Sequence, residues 1–359
     1  MSRQSELAAL ARVADTGALS NRNLIINGAM TVAQRGTSTT GITTSGYYAC
    51  DRWNVATGSL GTWTASQDSD APDGLKNSFK LVPTIADASP AAGDYFQIEQ
   101  KLEAQDTEHF KYGTSDAKAF TVSFWVKSNK TGTYNLRAYR VVDSTRMASK
   151  QYTINSAGTW EYKTITFDGD TSVAMTGGNT LGILLSWWLA AGSTFTSGSN
   201  QNWGSYLAAN EAPSQVNLAD STSNYWQITG VQLEVGDTAT EFEHRSYGDE
   251  LARCQRYYYK LQSEAAYSFF VTGYAYQSTD ANFPITFPQK LRAAPTFTSS
   301  GNWRICSGSC FNSPTLSQGR SASNSFSIVA TTSGLTTGDA YALGDANDTT
   351  AYLAFDAEL

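Results

Sequence analysis

Residue types able to do chemistry are sparse in this chain, and their spacing suits catalysis poorly. There are two histidines, His109 in "DTEHFKYG" and His244 in "EFEHRSYG". A Ser-His-Asp device needs a histidine positioned beside an activated nucleophile, and neither histidine lies near a nucleophile elbow. Both read as plain surface or hinge residues. Carboxylate pairs for glycoside cleavage form in space, so the sequence only nominates them. The nominees are Glu99 with Glu103 in "FQIEQKLE", and Glu234 with Glu241 and Glu243. Glu99 is out of phase with Phe96, Ile98 and Leu102, which points it outward on a strand. "TGGNTLG" (176–182) lacks the lysine and the following helix of a phosphate loop. No residue is assigned a catalytic role, and the chain is read as a non-enzyme.

Metal and thiol chemistry is similarly thin. No spacing marks a metal cluster and no cofactor is called for. A structural Ca2+ is the allowed exception, at an oxygen-rich loop such as "FDGDTS" (167–172). Of the four cysteines, Cys50 and Cys254 stand alone, while Cys306 and Cys310 are separated only by "SGS". That pair suits a small hairpin disulfide or half of a zinc site, but both histidines lie far away in sequence. Compartment logic favours reduced, structural thiols.

Saccharide recognition is the chemistry the composition does supply. Flat CH faces of sugars stack on Trp or Tyr, while amides, carboxylates and hydroxyls satisfy the sugar hydroxyls. Candidate platforms are aromatics in loops or on outward strand phases. Trp188 qualifies by phase. In "SGSNQNWGSYLAAN" (197–210), Trp203 and Tyr206 sit near Asn202; in "SGNWRICSGSC" (300–310), Trp303 and Arg304 lie at a strand edge. Trp53, Trp125, Trp160 and Trp226 belong to strand-like patterns and read as packing residues.

The elements that must position these groups are almost all strands. "AFTVSFWVKS" (119–128) alternates, with Phe120, Val122, Phe124 and Val126 on one face. In "LGILLSWWLAAG" (181–192), Leu181, Ile183, Leu185, Trp187 and Leu189 share a face. "NYWQITGVQLEVG" (224–236) places Trp226 and Ile228 on one phase and Val231, Leu233 and Val235 on the other. A bulge at Gly230 would keep both sets facing the core. The turn-rich, aromatic composition and these alternations predict an all-β chain. Its organisation is a short N-terminal helical attachment segment (1–20), a jelly-roll or β-sandwich domain (21–246), a helical hinge (247–260) and a second, smaller β-sandwich-like domain (261–359). Leu7 and Leu10 share a face of the first helix and need a packing partner, within the chain or outside it. Ser246 is placed to cap the hinge helix. The hinge closes on Tyr257, Tyr258 and Tyr259. Alternate tyrosines point oppositely on a strand, so one is a candidate for an inter-domain or inter-chain contact.

Whole-chain properties narrow the partners. The 359 residues carry a formal net charge of −7, which gives no electrostatic footprint for nucleic acid. No apolar run approaches the roughly 20 residues a bilayer span needs. The N-terminus lacks a signal-peptide pattern, so ordinary secretion is not expected.

Several of these segments together resemble tail-fibre and receptor-binding structural proteins of tailed bacteriophages. They are "NRNLIINGAMTVAQRG" (21–36), "YYACDRW" (47–53), "GTWEYKTITF", "WQITGVQLEVGDTATEFEHRSYGDELARCQRYYYK" and the ending "AYLAFDAEL". Residues 119–235 also resemble carbohydrate-binding-module jelly rolls. The resemblance implies a virion protein made in the host cytoplasm and carried on the tail or another external appendage. It implies a homo-oligomer, a trimer by family habit, contacting other virion proteins and a host cell-surface polysaccharide. The competing readings are a purely architectural appendage that binds no glycan and, further off, a glycan depolymerase.

Overall fold

A computed structural model describes residues 21–140, 145–175 and 177–359. Leu7, Leu10 and the expected N-terminal helix lie outside the described residues. The chain divides into two compact units, one running to Glu250 and one from Leu251 to Glu358. It is all-β: strands dominate both units, and helices are few and short.

Among the described residues the first unit has two antiparallel sheets. One orders Ser38–Ile42, Thr62–Asp68, Ser78–Ile85, Trp226–Val235, Phe120–Ser128 and Glu161–Phe167. The other orders Gly204–Ser205, Arg146–Ile154, Gly132–Arg140, Leu181–Ala191, Tyr95–Glu103, Trp53–Gly58 and Gly46–Tyr47. The inward rows are the alternating apolar phases of each strand, and they merge into one core. Aromatics bridge the layers: Trp63 stacks on Phe96 at 3.7 Å between centroids, and Phe124 meets Trp187 edge-on at 5.9 Å. This is the jelly-roll type of sandwich the alternation predicts.

Trp226–Val235 crosses the core with a slip. Its register against Phe120–Ser128 shifts between Thr229 and Gln232, and Gly230 takes φ +60°. Trp226, Ile228, Val231 and Leu233 are all buried as a result. A Cβ at Gly230 would come within 2.9 Å of Leu75 Cδ1 and 3.1 Å of Trp125 Cδ1, so glycine is required by space as well as by φ.

The polar run after this strand folds back onto it. Glu234 accepts from Thr240 N at 2.9 Å and Thr240 Oγ1 at 2.6 Å, and Glu243 accepts from Asn23 N at 3.0 Å. Glu234 and Glu243 therefore staple chain segments together, and Arg22 and Arg245 attend them at 3.3 and 3.5 Å. Ser246 Oγ then accepts from Asp249 N at 3.2 Å, capping the helix Tyr247–Gln255.

In the second unit a three-stranded sheet orders Tyr258–Gln262, Tyr352–Asp356 and Thr296–Ser300. A seven-stranded sheet orders Ser309–Asn312, Trp303–Ser307, Ala340–Asp345, Phe269–Gln277, Asp280–Thr286, Ser325–Thr331 and Thr315–Ser321. Both contribute to a separate core in which Phe355 touches Phe287, Phe297 and Phe326. Tyr257 and Tyr258 are buried, and Tyr259 packs on Phe355 and Phe287 within this unit.

The thiols depart from expectation. Cys306 and Cys310 are directly opposite in the hairpin and are joined as a disulfide, while Cys50 and Cys254 are buried and not disulfide-bonded. A tight two-stranded turn puts the two Cβ atoms within bridging reach, a geometry that compartment arguments do not see.

Candidate functional site

The site is built on the outer face of the first unit's seven-stranded sheet. Cross-strand register sets a polar row there: Asn54 faces Glu99, Glu99 faces Ser186, Ser186 faces Arg137, and Arg137 faces Ser149. The next row runs Ala56, Gln97, Trp188, Asn135 and Gln151. A row further on carries Tyr95 on one side of this pair, and Tyr139 lies one row out on the other.

The rows form a slot with a polar floor and aromatic walls. Tyr95, Trp188 and Phe195 interlock as one wall, with centroids 5.3 to 6.0 Å apart. Tyr139 and Tyr206 form the other, edge to face at 5.7 Å. On the floor, Glu99 accepts from Gln97 Nε2 at 3.0 Å and Asn54 Nδ2 at 3.3 Å. Arg137 pairs with Glu211, donates to Ser186 Oγ at 2.9 Å and lies 4.0 Å from Glu99 Oε1. Its guanidinium also sits over the rings of Tyr139 and Trp188, at 4.8 and 5.5 Å.

Apart from Gln151 at the edge, the first two rows are more than nine-tenths buried, and the segment 192–216 lies across this face. Gln201 O accepts from Ser149 N at 2.9 Å, Tyr206 N donates to Thr145 O at 3.0 Å, and Val216 N donates to Thr133 O at 3.0 Å. The same segment delivers Glu211. Burial pushes the Glu99 carboxyl up, with Arg137 and Lys101 opposing. Burial also raises the Tyr206 phenol, helped by its hydrogen bond to Glu211. Four buried polar atoms on the floor have no partner in the protein: the acceptors Asn54 Oδ1 and Gln97 Oε1, and the donors Arg137 Nε and Trp188 Nε1.

The residues nominated from sequence fall unevenly around this slot. Tyr206 is 40% exposed and forms its rim. Asn202 is exposed and accepts from Lys150 Nζ at 2.7 Å. Trp188 does point to the outer face, but it is 1% exposed, so it is a wall and not an open platform. Phe195 and Arg137 cover it. Trp203 is half-buried against Tyr112, with Nε1 donating to Asp168 O at 2.7 Å. Trp303 is 5% exposed and packs on Phe270, because its strand phase faces the second core. Arg304, on the opposite phase, lies over Tyr267 and Phe269. Glu99 faces away from the sandwich as expected, yet it is covered and not solvated. Glu103 is also buried, and it accepts from Gln105 Nε2 at 2.7 Å.

In the loop considered for calcium, the Asp170 carboxylate is occupied by Arg140 Nη1 at 2.7 Å and by Arg146 Nε at 2.6 Å. Two guanidiniums on one carboxylate leave no anionic cage for a cation. Among the described residues no three His, Cys, Asp or Glu side chains gather as a metal site.

Sequence reasoning did not single out Asn54, Tyr95, Gln97, Arg137, Tyr139 or Glu211. The available signal was the outward phase of "YFQIEQKLE" and "NLRAYR", which is polar and aromatic at every second position.

No family model matches the chain, and no curated protein does. Solved structures with some likeness include the enzymatically active domain of tailspike protein 4 of bacteriophage CBA120, at 14% identity and TM-score 0.30 over 60% of this chain. The match spans 21% of that tailspike domain. A CBM4 structure is 15% identical with TM-score 0.31, covering 59% of this chain and 99% of its own. A family 11 carbohydrate-binding module from Clostridium thermocellum, in complex with a β-1,3-1,4-mixed-linked tetrasaccharide, is 10% identical with TM-score 0.28, over 58% of this chain and 98% of its own. The sandwich assignment rests on the sheet registers given above.

Proposed function

We propose that this chain is a non-catalytic glycan-binding structural protein, and that the slot on the first unit receives the hydroxyl-bearing edge of a saccharide. The observation that carries this reading is the pairing of aromatic walls with a floor of unpartnered donors and acceptors. Burying such groups unsatisfied costs roughly 1–3 kcal/mol each. A sugar hydroxyl both donates and accepts, so it answers Asn54 Oδ1 and Gln97 Oε1 as well as Arg137 Nε. Tyr206, exposed at the rim, offers the stacking face.

The wider setting belongs to the same proposal. The resemblance of residues 21–36, 47–53 and 226–260 supports a virion appendage of a tailed phage, assembled as a homo-oligomer and touching host surface polysaccharide. Weak sites repeated on several copies would then act together. A second, purely architectural reading draws on the burial of Trp188 and Trp303, whose rings fill interiors.

A glycan array probed with the purified chain, followed by calorimetric titration of any hit, separates these readings. The expected result is a bound glycan whose affinity falls about tenfold or more in Tyr206→Ala. An array without a hit leaves only the architectural reading. Shortening of the bound polymer on incubation would instead overturn the non-catalytic assignment.

A further inference from the structure

The second unit has an unusually built surface loop. Tyr267 takes φ +65°, a left-handed conformation costly for an aromatic residue by roughly 1–2 kcal/mol. It persists because Asp345, fully buried, holds the loop from beneath. That carboxylate accepts from Tyr267 N at 2.7 Å, Ser263 Oγ at 3.0 Å and Asp348 N at 2.9 Å. Asp345 N in turn donates to Ser268 O at 3.0 Å. Backbone strain that the surroundings over-determine gathers at ligand sites. Two rings are exposed at this loop and the strand that follows it: Tyr267 is 52% exposed and Phe269 57%.

Arg304 braces those rings. Its guanidinium lies 4.5 Å from the Tyr267 centroid and 5.1 Å from that of Phe269, and Nη2 donates to Tyr267 O at 3.1 Å. Phe269 faces Gly344 across the sheet, where a Cβ would come within 2.9 Å of the ring. The ring is therefore fixed in place while still open to solvent. Beside it is a cavity of about 210 Å³ lined by Leu261, Gln262, Glu264, Ser268, Phe269 and Phe270. Drug-sized ligands fill pockets of roughly 300–1,000 Å³, so this cavity suits a single ring with the rest of its chain in solvent.

We propose that this cavity is a second saccharide site, which takes one pyranose ring of a neutral glycan against Phe269. The CH face stacks on the phenyl ring, and the Gln262 amide and Glu264 carboxylate receive the hydroxyls. The Glu264 charge disfavours acidic sugars, and the Arg304 charge is committed to the two rings and to Tyr267 O. The site is independent of the slot on the first unit and stands or falls separately.

The test is titration calorimetry and saturation-transfer NMR on the full chain with cellohexaose, maltoheptaose, chitotetraose and mannohexaose. Wild type, Phe269→Ala, Phe269→Tyr, Glu264→Gln and Tyr206→Ala are compared. At least one oligosaccharide should bind wild type and lose about tenfold or more of its affinity in Phe269→Ala. Glu264→Gln should weaken the same binding and Phe269→Tyr should retain it, each also in the Tyr206→Ala background, where the slot on the first unit no longer contributes. Phe269 is exposed, so its truncation spares the core, and an unchanged melting temperature verifies this. The proposal is overturned if none of the four binds the Tyr206→Ala variant, or if the binding that variant shows survives the addition of Phe269→Ala. It is likewise overturned if Phe269→Ala removes only a concentration-dependent self-association, which would make a second copy the occupant.

Discussion

Glu99 shows how one side chain's surroundings convert into a measurable pH dependence. Burial raises its folded-state pKa above the usual carboxylate range, against the pull of Arg137 and Lys101. Below the unfolded value, near 4.3, the carboxyl is protonated in both states and imposes no penalty. As pH rises through the higher folded-state value, the folded protein must ionise a covered group and stability is lost. Glu99→Gln removes that loss and keeps one acceptor for Gln97 and Asn54. The variant should therefore gain in melting temperature relative to wild type at pH 7, and the gain should shrink at pH 4. Equal differences at the two pH values would show that Glu99 titrates normally and that the floor is wet. The burial of Glu99 was not legible locally. "FQIEQKLE" gives the direction of the side chain, because strand phase is a local property. What lies on top of it comes from residues about a hundred positions later.

The covering segment 192–216 is the element on which the slot depends. It contains little regular structure and is fastened by backbone bonds to Arg146–Ile154 and Gly132–Arg140 and by the Arg137–Glu211 pair. Removing one partner of a buried pair strands the other's charge, at about 3–5 kcal/mol, whereas replacing both with apolar residues costs far less. Glu211→Ala should fall at the lower end of that range, since Glu99 stands 4.0 Å from Arg137. The double replacement Arg137→Met with Glu211→Met should be the more stable of the two variants in urea unfolding. A single variant as stable as wild type would mean that the pair does not hold the segment. In contrast to this segment, the elements themselves were readable. The two phases of Trp226–Val235, the slip at Gly230 and the Ser246 cap are set by residues within a few positions of one another.

At the scale of the whole molecule, two separately buried cores predict two cooperative transitions. One core is built from the paired sheets of the first unit, the other from the three- and seven-stranded sheets of the second. Chains of this kind depart from two-state unfolding. Differential scanning calorimetry should resolve two endotherms. Reductant should lower only the one belonging to the second unit, which holds the Cys306–Cys310 bond. Closing so short a loop contributes about 2 kcal/mol on chain-entropy grounds, enough to move that endotherm by several degrees. A single endotherm, or one insensitive to reductant, would show that the units unfold together or that the bond contributes nothing.

By itself the sequence determined the all-β class, the inward rows of both layers, the glycine bulge and the helix cap. Each follows from a period of two or from turn and cap chemistry, and these act over a handful of residues. Only the tertiary structure decided which outward groups stay outside. Trp188 and Trp303 looked alike as candidate platforms, yet Phe195 and Arg137 cover one and the second core takes the other. The exposed Tyr267 emerges from a loop pinned by Asp345, nearly eighty residues away. Strand phase specifies a direction, and exposure depends on what the rest of the chain places in that direction.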